Sequence, residues 1–131
     1  MNKEKLVGKA IEAKSIAYAP YSNFHVGAAL LTEDDKLYTG ANIENASYGL
    51  TVCAERTAAF KAILDGERKF KAIAVAGNTD EYLPPCGACR QVLLELCGKD
   101  LDVHLVNSKN EIKTFKLNEL IPFSFGDEHL K

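Results

Sequence analysis

The chain has 131 residues, 47% hydrophobic and 26% charged, which suits one core and is too short for two, so residues 1–131 are expected to form a single domain. Sixteen basic against eighteen acidic side chains give a formal charge of −2, a balance that disfavours a protein tracking a nucleic-acid backbone. No apolar run approaches the roughly 20 residues of a membrane span, and the N-terminus has no secretory h-region, so a cytoplasmic protein with neither membrane nor nucleic-acid partner is expected.

Leu6, Val7, Ala10, Ile11, Ala13 and Ala17 recur at helical spacing, and Pro20 marks the end of that first helix. Residues 24–32 and 37–43 read as two strands joined by the polar turn 33–36, and residues 44–51 as a loop. A second helix is expected from Cys53 to about Asp65, with Thr51 as N-cap and Gly66 as stop. The continuous apolar run 72–76 has the pattern of a strand covered on both faces. Pro84 and Pro85 precede a helix from Cys86 to Cys97, which Gly98 closes. Residues 103–106 and 114–117 are further strands around the turn 108–110, and 118–120 open a last short helix. The sum is an α/β domain, a five-stranded sheet with helices on both faces.

The chemistry gathers at two helix starts. Cys86-Gly87-Ala88-Cys89 is a C-x-x-C at a helix N-terminus, where exposed N–H groups and the helix dipole favour thiolates. Alone it is shared by redox pairs and zinc knuckles, but a third cysteine, Cys53, begins the previous helix. Three protein ligands leave a tetrahedral zinc one open position for water, the mark of a catalytic site. Cys97 lies roughly 16 Å along the helix from Cys86, too far to share an ion with it, and reads as a small buried hydrophobe. Glu55 is two residues beyond Cys53, about 200° around a helix, so both can face one ion only if Cys53 stands where the backbone leaves the helical path. From there Glu55 could move protons to and from the zinc-bound water. Three thiolates make a net negative centre, and a guanidinium donating to sulfur would restore the acidity of the water; Arg56 is the first choice for this and Arg90 the second.

Cys53-Ala54-Glu55 followed by Pro85-Cys86-Gly87-Ala88-Cys89 is the all-cysteine form of the zinc deaminase signature. With Tyr18-Ala19-Pro20-Tyr21-Ser22, Val26-Gly27-Ala28-Ala29-Leu30 and Asn42-Ile43-Glu44-Asn45, the chain resembles the small cytidine deaminases over nearly its whole length. The resemblance implies a cytidine-deaminase-like three-layer α/β/α sandwich with a mixed five-stranded sheet. It implies one Zn²⁺ per subunit on Cys53, Cys86 and Cys89, with Glu55 as proton shuttle. Asn42 and Glu44 would hydrogen-bond the ribose, Phe24 would pack on the pyrimidine, and the Ala54 N–H could hold the base carbonyl. The implied reaction is hydrolysis of cytidine and 2′-deoxycytidine to uridine and 2′-deoxyuridine, releasing ammonia in pyrimidine salvage. A homotetramer with shared active sites is implied as well, with Phe125 reaching a neighbouring site and Tyr48 near the subunit contacts. The run 121–125 departs from the family's smaller Leu-Pro-Gly-Ala-Phe pattern, placing the bulk of Phe123 beside Phe125. The cysteine motifs are shared with deaminases of blasticidin-type antibiotics, and a structural zinc module is a further alternative; the Asn42–Glu44 pair favours a nucleoside.

Overall fold

A computed structural model describes residues 1–130. Its first helix, α1 (Lys3–Ala13), is capped by Asn2, whose side chain accepts from the Lys5 N–H, and Leu6, Val7, Ala10 and Ala13 form its buried stripe. The helical periodicity reaches Ala17, but the chain tightens into a 3-10 turn over Lys14–Ile16, where Ser15 Oγ donates back to the Glu12 carbonyl and competes with the regular helical bond.

The five strands are β1 (Val26–Thr32), β2 (Leu37–Ala41), β3 (Phe70–Gly77), β4 (Asp102–Val106) and β5 (Ile112–Lys116), in the order β2-β1-β3-β4-β5. Only β3 and β4 pair in parallel, so the sheet is mixed, as expected. All seven residues of β1 are buried, and the pleat sends them alternately to two cores. Ala29 and Leu31 meet Leu6, Val7 and Ala10 of α1 on one face. Ala28 and Leu30 meet Ala54, Ala58, Ala59 and Leu93 on the other, the face covered by α2 (Ala54–Leu64) and α3 (Gly87–Cys97). A short α4 (Leu117–Leu120) follows β5. Helices on both faces complete the α/β/α layering.

This topology assembles the site. Both β2 and β3 run antiparallel to β1 and hence in the same direction. Each leads into a helix on the same face, α2 after β2 and α3 after β3. The two helices therefore begin over the same edge of the sheet, and Cys53 and Cys86 are their N-caps.

Several boundaries differ from the sequence reading. β1 begins at Val26 rather than residue 24, and β2 ends at Ala41 rather than 43. Between them Asn42 substitutes its side chain for ladder pairing, Oδ1 accepting from the Val26 N–H at 2.9 Å and Nδ2 donating to the Phe24 carbonyl at 2.8 Å. The cap of α2 is Cys53 and not Thr51, whose hydroxyl accepts instead from the Asn45 N–H at 3.2 Å. β5 spans Ile112–Lys116, and Leu117, fully buried, opens α4. Among the described residues no helix is long and apolar enough to cross a membrane.

Candidate active site and metal centre

Cys53 has extended backbone angles, φ −73° and ψ 159°, so its side chain leaves from outside the helix while Glu55 lies in the first turn. This is the departure from helical geometry that lets both residues face one point. Cys86 is likewise extended, with φ −64° and ψ 166°, and its sulfur accepts from the Cys89 N–H at 3.4 Å. The sulfurs of Cys53 and Cys86 lie 3.7 Å apart and those of Cys86 and Cys89 3.4 Å apart. All three are within 4.8 Å of one another. A tetrahedral zinc with bonds of about 2.3 Å holds its sulfurs about 3.8 Å apart, so the donor set and its spacing fit that ion.

The electrostatics favour charge on sulfur. The Cys53 thiol is held down to about 5, chiefly by a hydrogen bond from Cys89, with Arg56 and Cys86 adding to it. Cys89 is pushed upward as the partner that keeps its proton. Arg56 Nη2 donates to Cys53 Sγ at 3.8 Å and to the Thr51 carbonyl at 3.2 Å, in the orientation a charge-offsetting guanidinium requires. Its buried Nε has no hydrogen-bond partner among the described residues. Arg90 does not turn to sulfur: Nε donates to the Pro85 carbonyl at 2.8 Å and Nη1 to the Leu120 carbonyl at 2.7 Å. It braces the loop before Cys86 against the end of α4.

Glu55 is 4% exposed. Burial pushes its carboxyl up to about 7, the Cys53 charge acts in the same direction, and Cys89 and Arg56 act weakly against it. The carboxyl thus faces the sulfurs, away from bulk water. Ala54 and Glu55 open α2, where N–H groups have no intrahelical acceptor. Cys97 sits at the far end of α3, its thiol pushed up to about 12 by burial, consistent with an inert packing role.

Asn42 is buried, with both ends of its amide on the backbone around Phe24, and Phe24 packs against the core beneath α2 and α3. Glu44 Oε1 accepts from the Tyr21 and Ser22 N–H groups at 3.0 and 3.1 Å, and Oε2 accepts from the Ser22 hydroxyl. Tyr48 and Phe125 stand on the surface. Tyr48 meets Tyr21 edge-on at 6.5 Å, and Phe125 stacks on His129 at 5.2 Å while Gln91 Nε2 donates to the Phe125 carbonyl. Ser22 and the brace at Arg90 escaped the sequence reading; a serine two residues before Phe24 in a polar turn was the available signal for the first.

A family model described as the cytidine and deoxycytidylate deaminase zinc-binding region matches residues 1–105. The chain is 52% identical over 130 residues to a cytidine deaminase of Halalkalibacterium halodurans, covering 99% of this chain and 98% of that protein. It is 50% identical over 130 residues to a cytidine deaminase of Sporosarcina psychrophila, covering 99% and 96%. Its fold matches the crystal structure of a cytidine deaminase from Burkholderia pseudomallei with a TM-score of 0.93 at 50% identity, covering 95% of this chain and 100% of that one. The corresponding structure from Mycobacterium tuberculosis gives 0.85 at 40% identity, covering 96% and 98%. The chain therefore belongs to the cytidine and deoxycytidylate deaminase family. It is a hydrolytic deaminase of a zinc-binding family, with Cys53, Cys86 and Cys89 positioned to hold one metal ion.

Proposed function

We propose that this protein hydrolyses cytidine and 2′-deoxycytidine to uridine and 2′-deoxyuridine with release of ammonia, serving pyrimidine salvage as a single domain. The observation that carries the reading is the buried Glu55 carboxyl facing three sulfurs spaced for one ion. Cys53, Cys86 and Cys89 hold the zinc, which when bound supplies Lewis-acid activation of water. Glu55 accepts one proton from the attacking water and delivers it to N3 of cytosine as the water oxygen bonds to C4. It then takes the second proton from the new C4 hydroxyl and delivers it to the amino group, which leaves as ammonia as the C4–N bond breaks and the C4 carbonyl forms. Arg56 draws charge from Cys53. Phe24 packs on the pyrimidine, the Ala54 N–H receives the base carbonyl, and Asn42 and Glu44 take up the sugar hydroxyls. A site that pairs sugar hydroxyls with an amide and a carboxylate rejects a ligand lacking the sugar, because those groups are then left unpaired.

Exposed Ile16, Tyr48, Leu50 and Leu64 support assembly into a homotetramer, with Phe125 and Tyr48 serving neighbouring sites. The need for three reduced thiols supports a cytoplasmic setting. The test is an ultraviolet assay of zinc-loaded protein on cytidine, deoxycytidine, cytosine and blasticidin S. Turnover of both nucleosides with little of the other two supports the reading, and preferential turnover of blasticidin S or none at all refutes it.

A further inference from the structure

We propose that Ser22 is a positioning residue for sugar recognition, its hydroxyl fixing the Glu44 carboxylate against the backbone of Phe24. This rests on the reading of Glu44 as the sugar-binding carboxylate. The Ser22 hydroxyl donates to Glu44 Oε2 and accepts from the Phe24 N–H at 3.0 Å. The Ser22 and Tyr21 N–H groups converge on Oε1. From Phe24 the chain of bonds continues through its carbonyl to Asn42 Nδ2 and from Asn42 Oδ1 to the Val26 N–H. The Glu44 N–H donates to the Tyr18 carbonyl at 2.8 Å, and the Tyr18 N–H closes the circuit by donating to the Asn42 carbonyl at 2.9 Å. The proposed sugar and base contacts, Glu44, Asn42 and Phe24, thus belong to one hydrogen-bonded network, in which the Ser22 side chain joins the Glu44 carboxylate to the backbone of Phe24.

Local backbone geometry makes the bridge possible. Asn23, between Ser22 and Phe24, adopts φ 57°, a left-handed conformation that asparagine tolerates better than most residues. It folds the chain so that the serine hydroxyl reaches the N–H two residues on, a serine turn. An ionised carboxylate offers about four lone-pair sites, and three are already taken by Ser22 and Tyr21. One remains, and with both oxygens pinned its direction is fixed before a sugar hydroxyl arrives. Without the Ser22 hydroxyl, Oε2 loses its anchor, and Glu44 must be ordered by the substrate itself.

The experiment uses zinc-loaded full-length protein carrying Ser22→Ala or Ser22→Thr, assayed on cytidine and on 2′,3′-dideoxycytidine, which offers Glu44 no sugar hydroxyl at either position. Where turnover of the dideoxynucleoside is too slow, its Ki against cytidine replaces KM. Losing a hydrogen bond to a charged group predicts a rise of about tenfold in KM for cytidine, with kcat within about twofold. The dideoxynucleoside should change by less than about threefold, since Asn42 still holds the Phe24 carbonyl, and Ser22→Thr should restore the cytidine KM. Equal losses on the two nucleosides would reduce Ser22 to a loop-folding residue and overturn the proposal, as would an unchanged cytidine KM in Ser22→Ala. Wild-type protein that binds zinc but leaves cytidine intact would overturn the functional reading itself, an outcome separable from a flat response to Ser22→Ala in an active enzyme.

Discussion

Gly40 sets the distance between α2 and the sheet, and through it the position of Cys53 and Glu55. It pairs with Ala28 of β1, directly under the first turns of α2. A Cβ at residue 40 would lie 2.3 Å from Thr57 Oγ1, 2.5 Å from the Ala58 nitrogen and 2.6 Å from the Ala54 carbonyl oxygen. Two of these are backbone atoms of the helix and cannot rotate aside, so ordinary contact requires α2 to lift by about 1 Å. Overpacking of this kind costs about 1–3 kcal/mol, and the rigid partners place Gly40→Ala at the upper end, about 3 kcal/mol. A domain of this size holds roughly 7–20 kcal/mol, so the variant still folds. Its site is nevertheless displaced, because Cys86 and Cys89 on α3 do not move with α2. A misplacement of 1 Å can cost about a hundredfold in rate. Urea titration of the zinc-loaded protein, a chelator-competition measurement of zinc affinity and kcat/KM on cytidine read the three consequences. Gly8→Ala is the control: a Cβ there meets nothing within 4 Å, and it should stabilise α1 by up to about 1 kcal/mol. A Gly40→Ala protein with unchanged urea midpoint, zinc affinity and rate would refute the claim that helix–sheet spacing fixes the site.

Glu55→Gln removes the proton carrier but none of the sulfurs, so zinc content by atomic absorption should stay at one per chain while kcat falls by at least about a thousandfold; brisk turnover would show that another group moves the proton. Chelation of zinc should make Cys53 and Cys86 react fast with a disulfide reagent, while Cys89, fully buried, and Cys97, whose thiol burial pushes up to about 12, react slowly until the chain unfolds; fast reaction of Cys97 in the folded apoprotein would contradict its placement. Burial pushes the His104 imidazole below its ordinary value, so the unfolded chain binds the extra proton first and stability should fall as pH drops below about 6.5. Thermal melts at pH 7 and pH 5 should show a smaller loss in His104→Asn than in the wild type, and equal losses would refute the assignment.

Much of this fold was legible because its strands carry unambiguous patterns. The run ending β3 is apolar at every position from Ala72 to Ala76, as a strand between two helical layers must be, and every one of those residues is buried. The α1 stripe likewise follows from spacing alone. The boundaries that moved are those where a side chain acts as backbone. Asn42 occupies the pairing groups of Val26 and Phe24, which ends β2 and delays β1, and composition cannot reveal an amide used in that way. Thr51 has the chemistry of an N-cap but turns toward Asn45, leaving the cap to Cys53, a residue propensity would not choose. The cap position instead sets the Cys53 sulfur 3.7 Å from that of Cys86.

The site itself was legible to the extent that its chemistry constrains its geometry. A glutamate two residues from a thiolate cannot face one ion together with it inside a regular helix, so the sequence reading set a condition, that Cys53 leave the helical path, and its extended backbone meets it. No comparable constraint ties Ser22 to Glu44, 22 residues apart, or Arg90 to Leu120, 30 apart. Each acts by holding another residue's backbone or carboxylate, and a hydroxyl or guanidinium can do that from many positions. Residues that touch the reacting atoms are confined by bond lengths and by the few groups able to do the chemistry; residues that hold them are confined only by the fold. The spacing of the signature therefore points to the proposed metal ligands and proton carrier, while Ser22 and Arg90, which hold Glu44 and the loop before Cys86, emerge only once the fold brings distant segments together.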